Sequence, residues 1–404
     1  MIRPISLFLL ACFFLAEYKS FENVQAYGIW AIVLLCIAPV ITVLIAPRVL
    51  QIKYGIELLT FLVLILWCIA MFLFAWMPYV RTVVGENTIA DEVIIVLPVV
   101  LSLSLLWWLS SPIKNRFAWV SHRLRVDVLL LFVPMFVLWG TRDVVRNYAS
   151  GEVAQDAMFI ALIVLIVFSP VMIRYILSVR QMEDKALERA LQEVGLRSGV
   201  KNPSVFVWNT HNRLMNAFAI GIILRPKTII LTDALITNLT QKELLAVAGH
   251  EFAHHKYSHL VFLFLAMFCA LNWSDYLLQA LNVNLVSGYV QIAQLICIIV
   301  TYILVSRLFE SQADAYAVVD ISKASGSEKV TSEAVQYMSS SLSALAFAGN
   351  ISVERNDLLH RSIQERQQHL DTLIDCPIGQ LPINRKVKWL KIGVVFFLVL
   401  GIVV

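Results

Sequence analysis

Charge is scarce in this chain of 404 residues: 15% are Asp, Glu, Lys or Arg, against 59% hydrophobic, and the mean hydropathy is +0.76. Soluble domains carry about 25% charged and roughly 45–50% apolar residues. A soluble globule of this length could not hide so much apolar surface. A disordered chain has the opposite composition, poor in hydrophobics and rich in charge. Both are excluded, and a polytopic membrane protein remains. Internal repeats and low-complexity tracts are absent, and no basic stretch is interleaved with aromatics. The net charge of +4 is therefore no argument for nucleic acid; basic residues gathered on one membrane face account for it. Cysteine pairing is absent too. Cys12, Cys36, Cys68, Cys269 and Cys297 lie in apolar runs, Cys376 lies in a polar tail, and none is spaced C-x-x-C. That pattern reads as buried free thiols rather than a disulfide framework. No small-residue cleavage site follows the first apolar run, where Glu17 and Tyr18 stand instead, so the run reads as an anchor.

Six apolar runs occupy the N-terminal part, at 5–16, 27–46, 58–77, 93–109, 128–140 and 157–173. The first and fifth are shorter than the roughly 17–25 residues of a spanning helix and must borrow flanking residues. Arg3, Arg48, Lys53, Lys114, Arg116, Arg123 and Arg125 fall on one side of the resulting pattern; Lys19, Arg81, Arg142 and Arg146 fall on the other. The positive-inside rule then places the N-terminus in the cytoplasm, and six crossings return the chain there after residue 173. A second apolar pair at 260–273 and 289–305, connected by 274–288, reads as a membrane hairpin. A last run at 392–404 follows Arg385, Lys386, Lys388 and Lys391. The total is about nine transmembrane helices.

The polar stretch at 179–259 reads as a small α+β domain. Leu187, Leu191 and Val194 recur at helical spacing, with Gly195 as the expected C-cap. Strands are expected at 204–208, 216–221 and 228–231. Thr240 and Glu243 form an S/T-x-x-E capping box, which starts a helix at Gln241. That helix carries His250-Glu251-Phe252-Ala253-His254, an H-E-x-x-H motif. Residues i and i+4 share one face, so both imidazoles can reach one tetrahedral Zn²⁺. Glu251 is turned about 100° away from His250, which suits a general base rather than a ligand. The alternative is a pair of histidines packed on a buried helix face.

A catalytic zinc site takes three protein ligands and keeps one position open. Just beyond the hairpin stand Glu310 and, one helical turn on, Asp314. The returning helix brings Glu310 to the height of the H-E-x-x-H helix. Asp314 shares its face and is placed to accept a ring N–H from a zinc-bound histidine. The bland reading is a juxtamembrane helix with solvated acids. His255 faces away from His254 and reads as a core or interface residue; His259 also lies near the metal helix, and His211 reads as a loop histidine.

The strings NAFAIG, TIILTDALI, TQKELLAVAGHEFAHHKYSH and SRLFESQADAYA stand in this order, with the hairpin between the last two. In this they resemble the integral-membrane zinc metallopeptidases that include the CAAX prenyl proteases and the HtpX heat-shock proteases. The resemblance covers roughly 175–370. It implies one Zn²⁺ per chain held by His250, His254 and Glu310, with Glu251 as general base and Asp314 behind a histidine. It also makes Asn216, Ala217 and Phe218 part of an edge strand that binds an extended substrate, as an open strand edge can through its backbone. A further family element, H-P-x-x-x-x-R, corresponds to His360 and Arg366, with Arg361 in place of the proline. Either residue would suit an oxyanion; an amphipathic surface helix is the alternative.

The expected fold is thus mainly α: a polytopic membrane protein carrying a cytoplasmic α+β zincin-like metallopeptidase domain. The expected organisation is a six-span region at 1–178, a metallopeptidase domain at 179–375 interrupted by the hairpin at about 260–305, and a C-terminal segment at 376–404 with the final span. The expected activity is zinc-dependent endopeptidase cleavage at the cytoplasmic face, of extended peptides or of membrane or misfolded proteins. The hairpin and the six spans would wall the site. CAAX-type processing of prenylated peptides is the alternative substrate class. The expected partners are the substrate and the bilayer, with no nucleic acid. The expected location is the bacterial inner membrane, an organelle membrane being the other choice. A transporter or sensor with a non-catalytic metal site is the rival of another class. It calls for ionisable residues within several spans, yet Glu57, Asp127 and Asp156 sit at the ends of theirs.

Overall fold

The computed structural model describes residues 9, 12, 23–52, 54–85, 89–221, 227–280, 287–349, 352–354 and 361–403. It divides into two compact units, Met1–Leu177 and Ser178–Val404. The apolar run at 5–16 lies outside the described residues except for 9 and 12, and so does His360.

The first unit is helical. Its elements are α1 (Val24–Val49), α2 (Gly55–Phe72), α3 (Trp76–Val84), α4 (Ile89–Leu109), α5 (Arg116–Leu124), α6 (Leu130–Arg146) and α7 (Gly151–Leu177). A π turn at Arg125–Leu129 joins α5 to α6 into one rod. The short run at 128–140 does borrow its neighbours: helix extends over Arg116–Arg146. Arg116, Arg123 and Arg125, expected in a loop, therefore lie in helix, and Arg123 pairs at 2.8 Å with buried Asp127. The run at 58–77 is not one helix. It breaks after Phe72, with Ala75 at φ 52°, and restarts as α3. Pro78 explains the break, because it supplies no N–H to the preceding turn and its ring would strike that turn's carbonyl. In α4, Pro98 is accommodated inside the helix, and the indole N–H groups of Trp67 and Trp76 both donate to the Ile95 carbonyl just upstream.

The second unit contains β1 (Arg180–Gln181), α8 (Lys185–Arg197), β2 (Ser204–Trp208), β3 (Ala217–Ile220), β4 (Thr228–Thr232) and α9 (Asp233–Asn238). Then come α10 (Gln241–Lys256), α11 (His259–Ala280), α12 (Ser287–Ala324), α13 (Ser332–Ala348), α14 (Ile363–Asp371) and α15 (Pro382–Val403). The sheet order is β1-β2-β4-β3. β2 and β4 are parallel, and β3 runs antiparallel to β4 with Ala217 opposite Leu231. β4 is buried along its whole length, so it reads as an unbroken Thr-Ile-Ile-Leu-Thr run.

α10 lies against α8, the sheet, α12 and α13. The capping box is formed as expected: Thr240 N–H donates to Glu243 at 2.8 Å. Gly195 is not the cap of α8, which runs on to Arg197 and reverses at Gly199 with φ 85°. Gly195 is instead a point of close approach, where a Cβ would come within 2.5 Å of Pro203 and 2.9 Å of Phe252. α11 continues to Ala280, past the 273 expected from hydropathy. α12 has 38 residues, about 57 Å at 1.5 Å per residue. That is nearly twice a hydrocarbon core of roughly 30 Å, so one rod can hold an apolar stretch and a polar working stretch end to end.

Among the described residues, seven helices are long and apolar enough to cross a membrane. Five are in the first unit; the other two are His259–Leu278 and Ala293–Ala324. α15 is 22 residues long but carries Arg385, Lys386, Lys388 and Lys391 in its first half.

Candidate metal centre

His250, Glu251 and His254 lie in the last two turns of α10, a helix of 16 residues of which ten are buried. The next residue but one, Ser258, takes φ 53°. The chain turns there and α11 starts back over the end of α10. α12 packs along α10, and the close approach is made at Gly249, whose missing Cβ would meet Ala317 Cα at 3.3 Å. That proximity lets Glu310 and Asp314, a turn apart on α12, both reach His250.

Three ligand side chains converge. His250 Nε2 and His254 Nε2 are 3.3 Å apart, and Glu310 offers Oε2 at 3.5 Å from the first and Oε1 at 3.6 Å from the second. Neighbouring ligand atoms around a tetrahedral ion with bonds of 2.0–2.1 Å stand roughly 3.3–3.4 Å apart. The triangle fits such an ion, and two imidazoles with one carboxylate are donors that Zn²⁺ accepts. Among the described residues this is the one group of three with metal-binding geometry.

Each histidine is held from behind. His250 Nδ1 donates to Asp314 Oδ1 at 2.8 Å, which leaves Nε2 toward the triangle. Asp314 also takes a forked pair from Arg366: Nε donates to Oδ2 at 2.8 Å and Nη2 to Oδ1 at 2.6 Å. Arg366, expected as a candidate for an oxyanion, thus spends two of its donors on Asp314. Its guanidinium stays above its ordinary value, because the charge and hydrogen bonds of Asp314 outweigh burial. His254 Nδ1 faces His259 Nδ1 at 3.1 Å, His259 Nε2 lies 2.9 Å from Gln312 Oε1, and Gln312 Nε2 donates to Asn384 Oδ1 at 2.7 Å. Sequence reasoning assigned no role to His259, Gln312 or Asn384. Nothing in their spacing marks them, since they come from three helices.

The electrostatics separate the three α10 groups. Burial lifts the Glu251 carboxyl, and Glu310 adds to this while His250 opposes it, to about 7. Burial depresses His250, but Asp314 and Glu310 outweigh it and raise the imidazole to about 10. Burial lowers His254 to about 4, against the pull of Glu310.

Beside the triangle runs the open edge of the sheet. Thr232 N–H donates to Asn216 O and Asn216 N–H to Thr232 Oγ1, each at 3.0 Å. Antiparallel alternation then turns the backbone N–H and C=O of Ala217 and Ala219 away from β4, toward the free edge. The Phe218 ring meets Trp208 edge-on at 6.1 Å and so supports the far face of the sheet. The Ala219 backbone N–H favours the charged form of Glu251, which places the edge strand next to that carboxylate. His255 is buried and bonds the Thr228 carbonyl at 3.0 Å, tying α10 to β4. His211 sits in the loop before β3 with φ 58°.

Comparison with known proteins adds a sequence and a fold likeness. The model of Peptidase family M48 matches residues 181–372. A Protease HtpX homolog of Archaeoglobus fulgidus is 26% identical over 150 residues, 37% of this chain and 43% of that protein. A CAAX prenyl protease 1 homolog of Dictyostelium discoideum is 51% identical over 45 residues, 11% of this chain and 10% of that protein. The chain thus matches less than half the length of either relative. The crystal structure of S. mikatae Ste24p is similar in fold, with a TM-score of 0.52 at 15% identity over 87% of this chain and 99% of that one.

Proposed function

We propose, from the match of residues 181–372 to the model of Peptidase family M48 and from the membrane-length helices of the chain, that the protein is a membrane-embedded zinc metalloendopeptidase. The observation that carries the reading is the triangle of His250, His254 and Glu310 ligand atoms beside Glu251 and the open edge of β3. His250, His254 and Glu310 would hold one Zn²⁺. Bound there, the ion supplies Lewis-acid polarisation of the scissile carbonyl and a lowered pKa for water at the site.

The chain's own groups do the rest. The substrate lies extended along Asn216, Ala217 and Phe218, pairing with the backbone of Ala217 as one more strand. Glu251, its carboxyl lifted to about 7, in its ionised form takes a proton from the attacking water and returns it to the leaving amine. Asp314 holds the His250 ring in one orientation, and Arg366 holds Asp314 ionised. His360 belongs to the same proposal as a candidate for the oxyanion.

The organisation proposed is a six-span region at 1–178, a catalytic domain at 179–375 split by the α11–α12 hairpin, and a final segment at 376–404, about nine spans in all. The basic residues before 174 and before 392 support a cytoplasmic N-terminus and a cytoplasmic active site, in a bacterial inner membrane. The substrates proposed are membrane or misfolded proteins cut at extended segments. Processing of prenylated peptides is favoured by one observation, the short but 51% identical match to a protein named for that activity.

The test is Glu251→Gln. One zinc per chain is expected to remain while cleavage of an unstructured peptide falls about 10²–10⁴-fold. Normal cleavage by the variant rejects the base, and a purified wild-type chain without a chelator-sensitive metal rejects the metallopeptidase reading. New protein termini that appear in membranes with wild-type protein, but not with Glu251→Gln, identify the substrates.

A further inference from the structure

We infer that His259, Gln312 and Asn384 form a one-way hydrogen-bond chain that fixes which ring nitrogen of His254 faces the metal. The inference rests on the metal reading above and adds positioning residues to it. It starts from a constraint of proton counting. A neutral imidazole has one N–H and one lone pair. If His254 gives its Nε2 lone pair to a cation, its proton is on Nδ1. The group 3.1 Å from that proton is His259 Nδ1, which must accept and so carries no hydrogen. The single proton of His259 is then on Nε2, where Gln312 Oε1 stands 2.9 Å away as an acceptor. With its oxygen used, Gln312 turns its amide N–H₂ to Asn384 Oδ1 at 2.7 Å. Every link has one donor and one acceptor, and the direction set at His254 is the direction found at Asn384.

The opposite tautomer of His254 breaks the chain at its first link. Nε2–H would point into the triangle, 3.3 Å from His250 Nε2 and 3.6 Å from Glu310 Oε1. Nδ1 would need a donor from His259, whose Nε2 would then meet the Gln312 carbonyl without a proton. With the two amides oriented in this way, the chain favours the metal-binding tautomer of His254. His259 is also fixed in place: its ring stacks on Phe309 at 4.4 Å with an interplanar angle of 3°, and it is almost wholly buried. Asp314 does the same for His250. The two metal histidines are thus oriented by different chemistry, a carboxylate behind one and a neutral amide chain behind the other. Only one negative charge is then added behind the ligands.

The experiment measures zinc affinity by chelator competition on the full-length protein in detergent, with circular dichroism to check folding. His259→Phe keeps the stacked ring but removes the acceptor, and is expected to weaken zinc about 10–100-fold. His259→Gln restores a side-chain carbonyl and is expected to recover a substantial part of that loss. Gln312→Met, which leaves both metal histidines untouched, is expected to weaken zinc by a smaller factor. Wild-type affinity in His259→Phe, or equal loss in His259→Phe and His259→Gln, overturns the orienting role, since a purely structural ring is served better by Phe. A wild-type chain that binds no zinc overturns the metal reading itself, which separates the two failures.

Discussion

The Arg366–Asp314–His250 line allows a stability effect and a metal effect to be pulled apart. Asp314 is 2% exposed and Arg366 15%. Asp314→Ala leaves the guanidinium in that site without its hydrogen-bonded counter-charge, and breaking a buried pair in this way costs about 3–5 kcal/mol. The same change removes the acceptor behind His250. Loss of such a partner weakens metal binding about 10–100-fold, or about 1.4–2.7 kcal/mol. Adding Arg366→Met removes the stranded charge and keeps an apolar chain of similar length. Unfolding of the metal-free protein in detergent is expected to show the large loss in Asp314→Ala and most of it recovered in the double variant. Zinc affinity is expected to stay low in both. If the double variant recovers zinc affinity along with stability, Asp314 serves only to neutralise Arg366, and the orientation of His250 does not depend on it. A loss below about 1 kcal/mol in Asp314→Ala would mean the pair is solvated.

Two further expectations concern the base and the edge strand. The Glu251 carboxyl is raised by burial to about 7 in the metal-free fold, above its value in an unfolded chain. The folded state therefore binds more protons in that window, and this residue's contribution to stability falls as pH rises from the ordinary carboxylate range to about 7. Metal-free Glu251→Gln is expected to lack that decline, and identical pH dependence of the two metal-free proteins refutes the raised value. Ala217→Pro removes the N–H turned to the open edge, at a strand position that tolerates proline. It is expected to lower kcat/KM for peptide substrate by about two- to tenfold, the range of one net hydrogen bond, with zinc affinity unchanged; an unaltered kcat/KM refutes the pairing.

The sequence by itself determined whatever depends on near neighbours along the chain. Helix periodicity alone puts His250 and His254 on one face with Glu251 off it, and the Thr240–Glu243 box marks where that helix begins. Hydropathy located the hairpin, and with it the return of Glu310 and Asp314. Hydropathy did not show the break at 73–75, where Pro78 acts on the turn before it, or the true end of α8, where Gly195 turned out to be a contact point. Tertiary structure decided what needs residues distant in sequence to meet. β4 inserts between β2 and β3, and that strand order, invisible in the order of the runs, is what leaves β3 as an open edge. Arg366 reaches Asp314 across 52 positions, and Gln312 reaches Asn384 across 72. Hydrogen-bond partners of this kind follow from which helix faces pack together, and a helix's own pattern specifies only that it has a face to bury.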